Sequence, residues 1–298
     1  MKFQQLIFAI AICCLIPALS SAQGLSYGFR VGLNFANMPG ELEQDDAGEE
    51  VERLKTNTGF HVGASVRYNF TERFGVKGDF LFSQKGTQQF YEGQGAQLLS
   101  KIGSAEQIGF MGVQDRFLGI TNSYIEIPIS GFAKFNKIEF YGGPYIAFLV
   151  SSKAIGEYKF KANNSSIEID SDLNYNYFKD DLTDPTNIEI NEEDYEIFSL
   201  GGNEGAYYPK VANAYDDFRS KDGRVFKGID FGFNAGLAYF LNRGLYVSAN
   251  ISYGLVDVTN KAYDRSYANL KEGDSSQYAE RDDVDRNVAV QVSVGFAF

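Results

Sequence analysis

The chain has 298 residues, with 39 acidic against 27 basic side chains and a net charge of −12 at pH 7. That balance argues against a nucleic-acid partner, whose phosphates call for a basic surface. Its two cysteines, Cys13 and Cys14, sit inside an apolar N-terminal run, so removal of that run would exclude disulfides, thiolate nucleophiles and Cys-ligated metals. No later segment approaches the roughly 18 consecutive apolar residues of a membrane helix. The slightly negative mean hydropathy is compatible with alternating strands, whose hydropathy signal is weak.

In chain order, Lys2, the apolar stretch Leu6 to Leu19 and the small residues Ser20-Ser21-Ala22 read as a secretory signal. We expect cleavage between Ala22 and Gln23, with 1–22 removed and 23–298 forming one domain. A two-residue rhythm follows. Tyr27, Phe29, Val31, Leu33 and Phe35 oppose Gly28, Arg30, Gly32, Asn34 and Ala36. Phe60, Val62, Ala64, Val66 and Tyr68 oppose His61, Gly63, Ser65 and Arg67. Phe74, Val76, Phe80 and Phe82 oppose Lys77, Asp79 and Ser83. Ile125, Ile127 and Ile129 oppose Glu126 and Lys134. Ile138, Phe140, Ile146 and Phe148 oppose Glu139, Tyr141 and Tyr145. Ile229, Phe231, Phe233, Leu237 and Tyr239 oppose Asp230, Gly232, Asn234 and Gly236. Leu245, Val247, Ile251 and Tyr253 oppose Ser248, Asn250 and Ser252.

The last twelve residues, Asn287 to Phe298, make an eighth strand with Val288, Val290, Val292, Val294, Phe296 and Phe298 on one face. Bacterial outer-membrane β-barrels end in such a strand, and the resemblance makes Phe296 and Phe298 the expected signal for the barrel-assembly machinery. The phasing agrees: Arg30, Arg67, Lys77, Asp79, Glu126, Lys134, Glu139 and Asp230 all share the parity opposite the apolar face. A lipid-facing Lys or Arg at the midplane costs about 2–4 kcal/mol, so these belong to an interior. Tight polar turns at Asn69 to Arg73, Asn136-Lys137 and Asn242 to Gly244 alternate with long connections at about 38–57, 84–123, 152–228 and 256–286. The expected fold is all-β: a closed, eight-stranded, antiparallel up-and-down transmembrane β-barrel. Its four long loops are expected outside, its short turns and both termini in the periplasm, in the outer membrane of a Gram-negative bacterium.

Gly32-Leu-Asn-Phe-Ala-Asn37, Phe82-Ser-Gln-Lys-Gly86, Tyr124-Ile-Glu-Ile-Pro-Ile129, Gly143-Pro-Tyr145 and Ser293-Val-Gly-Phe-Ala-Phe298 together resemble the PorT-like outer-membrane barrel family of Bacteroidota. The resemblance spans all eight strands and none of the loops. It implies an integral outer-membrane protein, in most members without known activity; one namesake is linked to a secretion system, a role that strand motifs do not transfer.

Residues able to carry chemistry are few. His61 is the single histidine; Ser65 shares its face but lies about 13 Å along the strand, too far for a direct hydrogen bond. We therefore expect His61 to be an interior polar residue and the protein not to be an enzyme. Four cations (Arg30, Arg67, Lys77, Lys134) face four anions (Asp79, Glu126, Glu139, Asp230), and an eight-stranded barrel is just wide enough to be filled by its own side chains. They should pair into a plug, with inward glycines such as Gly28, Gly32 and Gly63 making room. The acidic runs Glu41 to Glu52, Glu168 to Asp172, Glu192 to Asp194 and Asp282 to Asp285 lack the spacing of a calcium loop and read as solvated surface, with divalent bridging to lipopolysaccharide as the minor alternative. The long segment 152–228 has alternating stretches at Ile167–Ile169 and Ile188–Ile190, suited either to strands projecting from the membrane or to disorder. The function expected is that of a structural or loop-display barrel, with envelope protein partners and membrane lipid and no cofactor. The alternatives are an outer-membrane enzyme acting on lipid or peptide, and a narrow channel.

Overall fold

Alternating faces, with β-branched and aromatic residues on one parity, favour extended backbone. The computed structural model describes residues 24–45, 48–184, 188–202, 204–218 and 220–298. The expected signal segment and its Ala22–Gln23 cleavage site lie outside the described residues. In chain order the strands are β1 (Leu25–Asn37), β2 (Glu52–Asn69), β3 (Phe74–Lys101), β4 (Gln107–Phe135), β5 (Ile138–Ala162), β6 (Glu168–Asn176), β7 (Tyr195–Gly201), β8 (Glu204–Pro209) and β9 (Val211–Ala212). There follow β10 (Ile229–Phe240), β11 (Leu245–Gly254), β12 (Arg265–Lys271), β13 (Asp274–Glu280) and β14 (Val288–Ala297).

Eight of these close a ring by antiparallel ladders in the order β1, β2, β3, β4, β5, β10, β11, β14. The closure is β14 against β1, with Val31 opposite Val294 and Phe29 opposite Phe296. Closure removes the free edges that an open sheet would present. Each of the eight segments read from the sequence falls on one ring strand. The tight connections lie together at one end: β2 to β3, β10 to β11, and Asn136-Lys137, where Asn136 takes the left-handed conformation (φ 54°) that a two-residue hairpin needs. Both described chain ends are there too, since Tyr27 and Phe298 exchange backbone hydrogen bonds at 3.1 and 2.8 Å.

The long connections depart from expectation. Residues 84–123 are mostly not a loop: β3 and β4 continue as one hairpin from Gln84 opposite Ser123 to Ser100 opposite Gln107. Residues 152–228 hold the rest of β5 together with β6, β7, β8 and β9, and 256–286 holds the β12–β13 hairpin. Strand β2 begins at Glu52, inside the span expected as loop 38–57. Of the two alternating stretches, Ile167–Ile169 leads into β6, whereas Ile188–Ile190 is irregular.

A change of polarity accompanies this extension. Within the ring, Phe29, Phe80, Phe140, Phe233 and Val292 face outward and are about half exposed, while Arg30, Asp79 and Glu139 are sealed inside. On β5 a bulge leaves Val150 without a partner, Tyr124 pairing with Leu149 and Ser123 with Ser151. The facing parity then switches. Lys153, Glu157, Lys159 and Lys161 point out, whereas Ala154, Tyr158, Phe160 and Ala162 point in. The inward residues join Leu118, Ile169, Leu173, Tyr175 and Tyr208 in an apolar core that fills the extension and reaches Tyr124, Tyr145 and Ala147 on the ring side of the bulge. The β12–β13 hairpin packs against β3 and β4. At Gly109 a Cβ would come within 2.3 Å of the Ser275 carbonyl oxygen, so the hairpin seats there because that position carries no side chain.

Candidate functional site

The ring interior is a packed polar lattice. Arg30 meets Asp79 at 3.0 Å, Glu139 takes both Arg67 and, at 3.1 Å, Lys77, and Lys85 meets Glu126 at 2.7 Å. Aromatic rings complete the cation shells: Arg67 lies over Phe132, Lys77 over Tyr141 and Lys85 over Tyr145. Asp230 is held by neutral donors, accepting from the Tyr145 hydroxyl and from Asn287 Nδ2, both at 3.0 Å; the same amide reaches the Tyr124 hydroxyl at 3.2 Å.

One expectation about this lattice needs correction. Lys134 is only half-buried; it sits near the tight-turn end with its ammonium 3.6 Å from the Phe240 ring centre, and the cation on Glu126 is Lys85. The alternation read on the third strand ended at Ser83, and one further step on the same parity reaches Lys85. His61 is hydrogen-bonded to residues of two other strands and not to Ser65. Its Nδ1 is 2.7 Å from Asn34 Oδ1 and its Nε2 is 2.8 Å from Ser293 Oγ, a residue on the strand two places round the ring. Gly32, between them, leaves the imidazole its space: a Cβ there would come within 2.7 Å of His61 Cε1.

Beyond the bulge, the chamber formed by the extension is closed by the hairpin and its latch. The Glu43 carboxylate accepts from Tyr267 N at 3.1 Å, Ala268 N at 2.9 Å and the Ser266 hydroxyl, so one side chain grips the start of β12. Arg281, just after β13, binds Glu52 at 3.1 Å and Asp283 at 2.8 Å. Burial and the neighbouring Asp283 push the Asp264 carboxyl up to about 7, and burial raises Asp285 to about 6. Arg116 lies within the chamber, flanked by the Tyr158 and Tyr267 rings at 4.4 and 4.2 Å.

The acidic runs are thus partly structural. Glu43, Glu52 and Asp283 serve the latch, and Glu168 and Asp282 pair on the surface with Lys161 and Lys261. Among the described residues, no group of three His, Cys, Asp or Glu side chains is placed to hold a metal ion, and no helix is long and apolar enough to cross a membrane.

A closed antiparallel ring with an apolar outer belt and a charged interior is the construction of a β-barrel in lipid. Residues 20–260 match the model of the family described as "Outer membrane protein beta-barrel domain", and the chain belongs to that family. It is an outer-membrane β-barrel protein of a Gram-negative bacterium. No curated protein matches it. Among solved structures it is similar to Ail, the attachment invasion locus protein of Yersinia pestis, with 12% identity and TM-score 0.33 over 93% of this chain and 100% of that one. It is also similar to OprG of Pseudomonas aeruginosa, with 9% identity and TM-score 0.30 over 92% and 96%. The outer-membrane protease OmpT of Escherichia coli shows 8% identity and TM-score 0.31 over 93% and 97%. Likenesses this remote do not bear on activity.

Proposed function

We propose that this protein is a plugged barrel that anchors a β-extension outside the cell as an interaction surface for an envelope or secretion partner. In this reading the tight turns and both termini face the periplasm. The PorT-like kinship is part of the same proposal, and so is contact with lipopolysaccharide around the outer rim. The observation that carries it is the polarity switch across Val150. One continuous strand presents Ile146 and Phe148 outward on one side of the bulge, and on the other Lys153, Ile155, Glu157, Lys159 and Lys161, four of the five charged. Apolar outward residues suit lipid and charged outward residues suit water, so the bulge marks the bilayer boundary. Labelling intact cells with a membrane-impermeant amine reagent tests it. Lys153, Lys159 and Lys161 should be modified and Lys137, at a tight turn, protected. The reverse pattern would sink the orientation.

One geometric observation favours an enzyme: Ser293, His61 and Asn34 form a line resembling a nucleophile, a base and its orienting group. All three are sealed, with exposures of 2%, 0% and 0%, inside a lattice that leaves a substrate no approach. Polar pairing inside the ring accounts for the line. We therefore read His61 as structural, and His61→Ala should leave every lipase and protease assay unchanged. A gain or loss of activity in that variant would revive the enzymatic reading. Filling by side chains argues equally against a channel, so planar-bilayer recordings should show no conductance steps.

A further inference from the structure

A cavity of about 360 Å³ lies at the far end of the extension, walled by β7, β8, the end of β3 and residues 182–184 and 213–218. One wall is aromatic: Tyr195 and Tyr207 stand at right angles with ring centres 5.3 Å apart, and Phe218 contributes a further ring. The opposing polar groups are Gln107, Asp184 and Asp216, and among the described residues no basic side chain lines the space. Among the described residues Asp216 is engaged by neutral donors: the Thr183 hydroxyl at 2.6 Å, Asn213 N at 2.7 Å and Asn213 Nδ2 at 2.6 Å. Among the described residues no cation pairs with its charge, and burial raises its carboxyl to about 6. Gln107 is 9% exposed, and its Oε1 acceptor has no hydrogen-bond partner among the described residues.

These features select a ligand. Negative charge repels phosphates and carboxylates. The unmet polar demand is for a donor, at Gln107 Oε1, and for positive charge, at Asp216. Ring faces attract cations and pack against apolar stems. A neutral sugar could stack and donate but would leave the buried carboxylate uncompensated. We propose that this cavity binds the lysine- or arginine-type side chain of a partner protein, an organic cation on an apolar stem. The site deepens the interaction reading and rests on it for exposure to the outside.

The test uses the full chain folded in detergent, titrated with a short glycine-flanked lysine peptide, with the same peptide acetylated on the lysine, and with maltotriose. The lysine peptide should bind at neutral pH and the other two should not. Asp216→Asn should weaken binding about tenfold, as should lowering the pH below about 6. Tyr195→Leu, on the opposite wall, should weaken it too, and serves if Asp216→Asn disturbs the Asn213 turn. Asp170→Asn, an exposed carboxylate on β6, should have no effect. Equal binding of the acetylated peptide, indifference to both wall variants, or an Asp170→Asn effect as large as that of Asp216→Asn would overturn the proposal. So would binding of maltotriose alone, in favour of a saccharide site. Cell-surface labelling tests the orientation and this titration tests the cavity, so either can fail alone.

Discussion

Lys85 and Glu126 meet with both side chains excluded from solvent. Burying two charges costs more than an exposed pair returns, and removing one partner strands the other. Glu126→Leu should therefore lower stability by about 3–5 kcal/mol, and Lys85→Met combined with it should recover most of that loss. Denaturant unfolding of the barrel in lipid vesicles checks both; equal damage in the single and the double variant would mean that packing, not charge, holds the position. At His61 the loss is of two neutral hydrogen bonds, so His61→Ala should cost about 1–3 kcal/mol and still fold. The sequence reading found the inward side of these residues because the apolar parity of each strand left a single face for them. It could not find their partners, because pairing joins residues on different strands: Asn34, His61 and Ser293 come from three strands, far apart in the chain. Lys85 was missed for a smaller reason, an alternation ended one step early.

At the level of elements, the ring strands were legible where lipid imposes an apolar face. The extension was not. There the inward side carries Gln97, Gln114 and Arg116 as well as Leu99 and Leu118, and glycines interrupt the rhythm, so neither face has a single chemical character. The β12–β13 hairpin depends on charges supplied from elsewhere in the chain, Glu43 and Glu52, and so had no local signature. Its latch should respond to pH. Asp264 and Asp285 bind protons more tightly in the folded state, near 7 and 6 against an ordinary 3.8, so the stability they lend is present at low pH. It is lost as pH rises from about 4 through about 7. Hydrogen exchange across 265–280, corrected for the intrinsic rate, should show more opening at the upper end of that window, and Asp264→Asn should flatten the trend. Glu43→Gln should raise opening at neutral pH, since it weakens the grip on the backbone of Tyr267 and Ala268. Unchanged exchange in Glu43→Gln would remove the latch from the account.

For the whole molecule, closure at β1 and β14 makes the last strand a wall of the barrel, and we propose that the assembly machinery reads it. Deleting Phe298 should reduce the folded, heat-modifiable form in the outer membrane while leaving synthesis unchanged; a normal folded yield would show that the terminal aromatic is dispensable. The architecture of the ring was readable from alternation and turn placement. The height of the protein was not, because sequence alone does not say whether a long connection is loop or strand.

The bulge at Val150 interrupts the ladder by a single residue and does not break it. Strand β4 runs 29 residues without a hinge, about 95 Å of extended chain against an apolar belt of about 25 Å. The protruding part is therefore a post rather than a tether. A load applied at its tip along the strands acts as shear on many ladder hydrogen bonds at once, instead of peeling them singly, and reaches the barrel wall undiminished. On the proposed reading, a partner that grips this surface would pull on the bilayer itself.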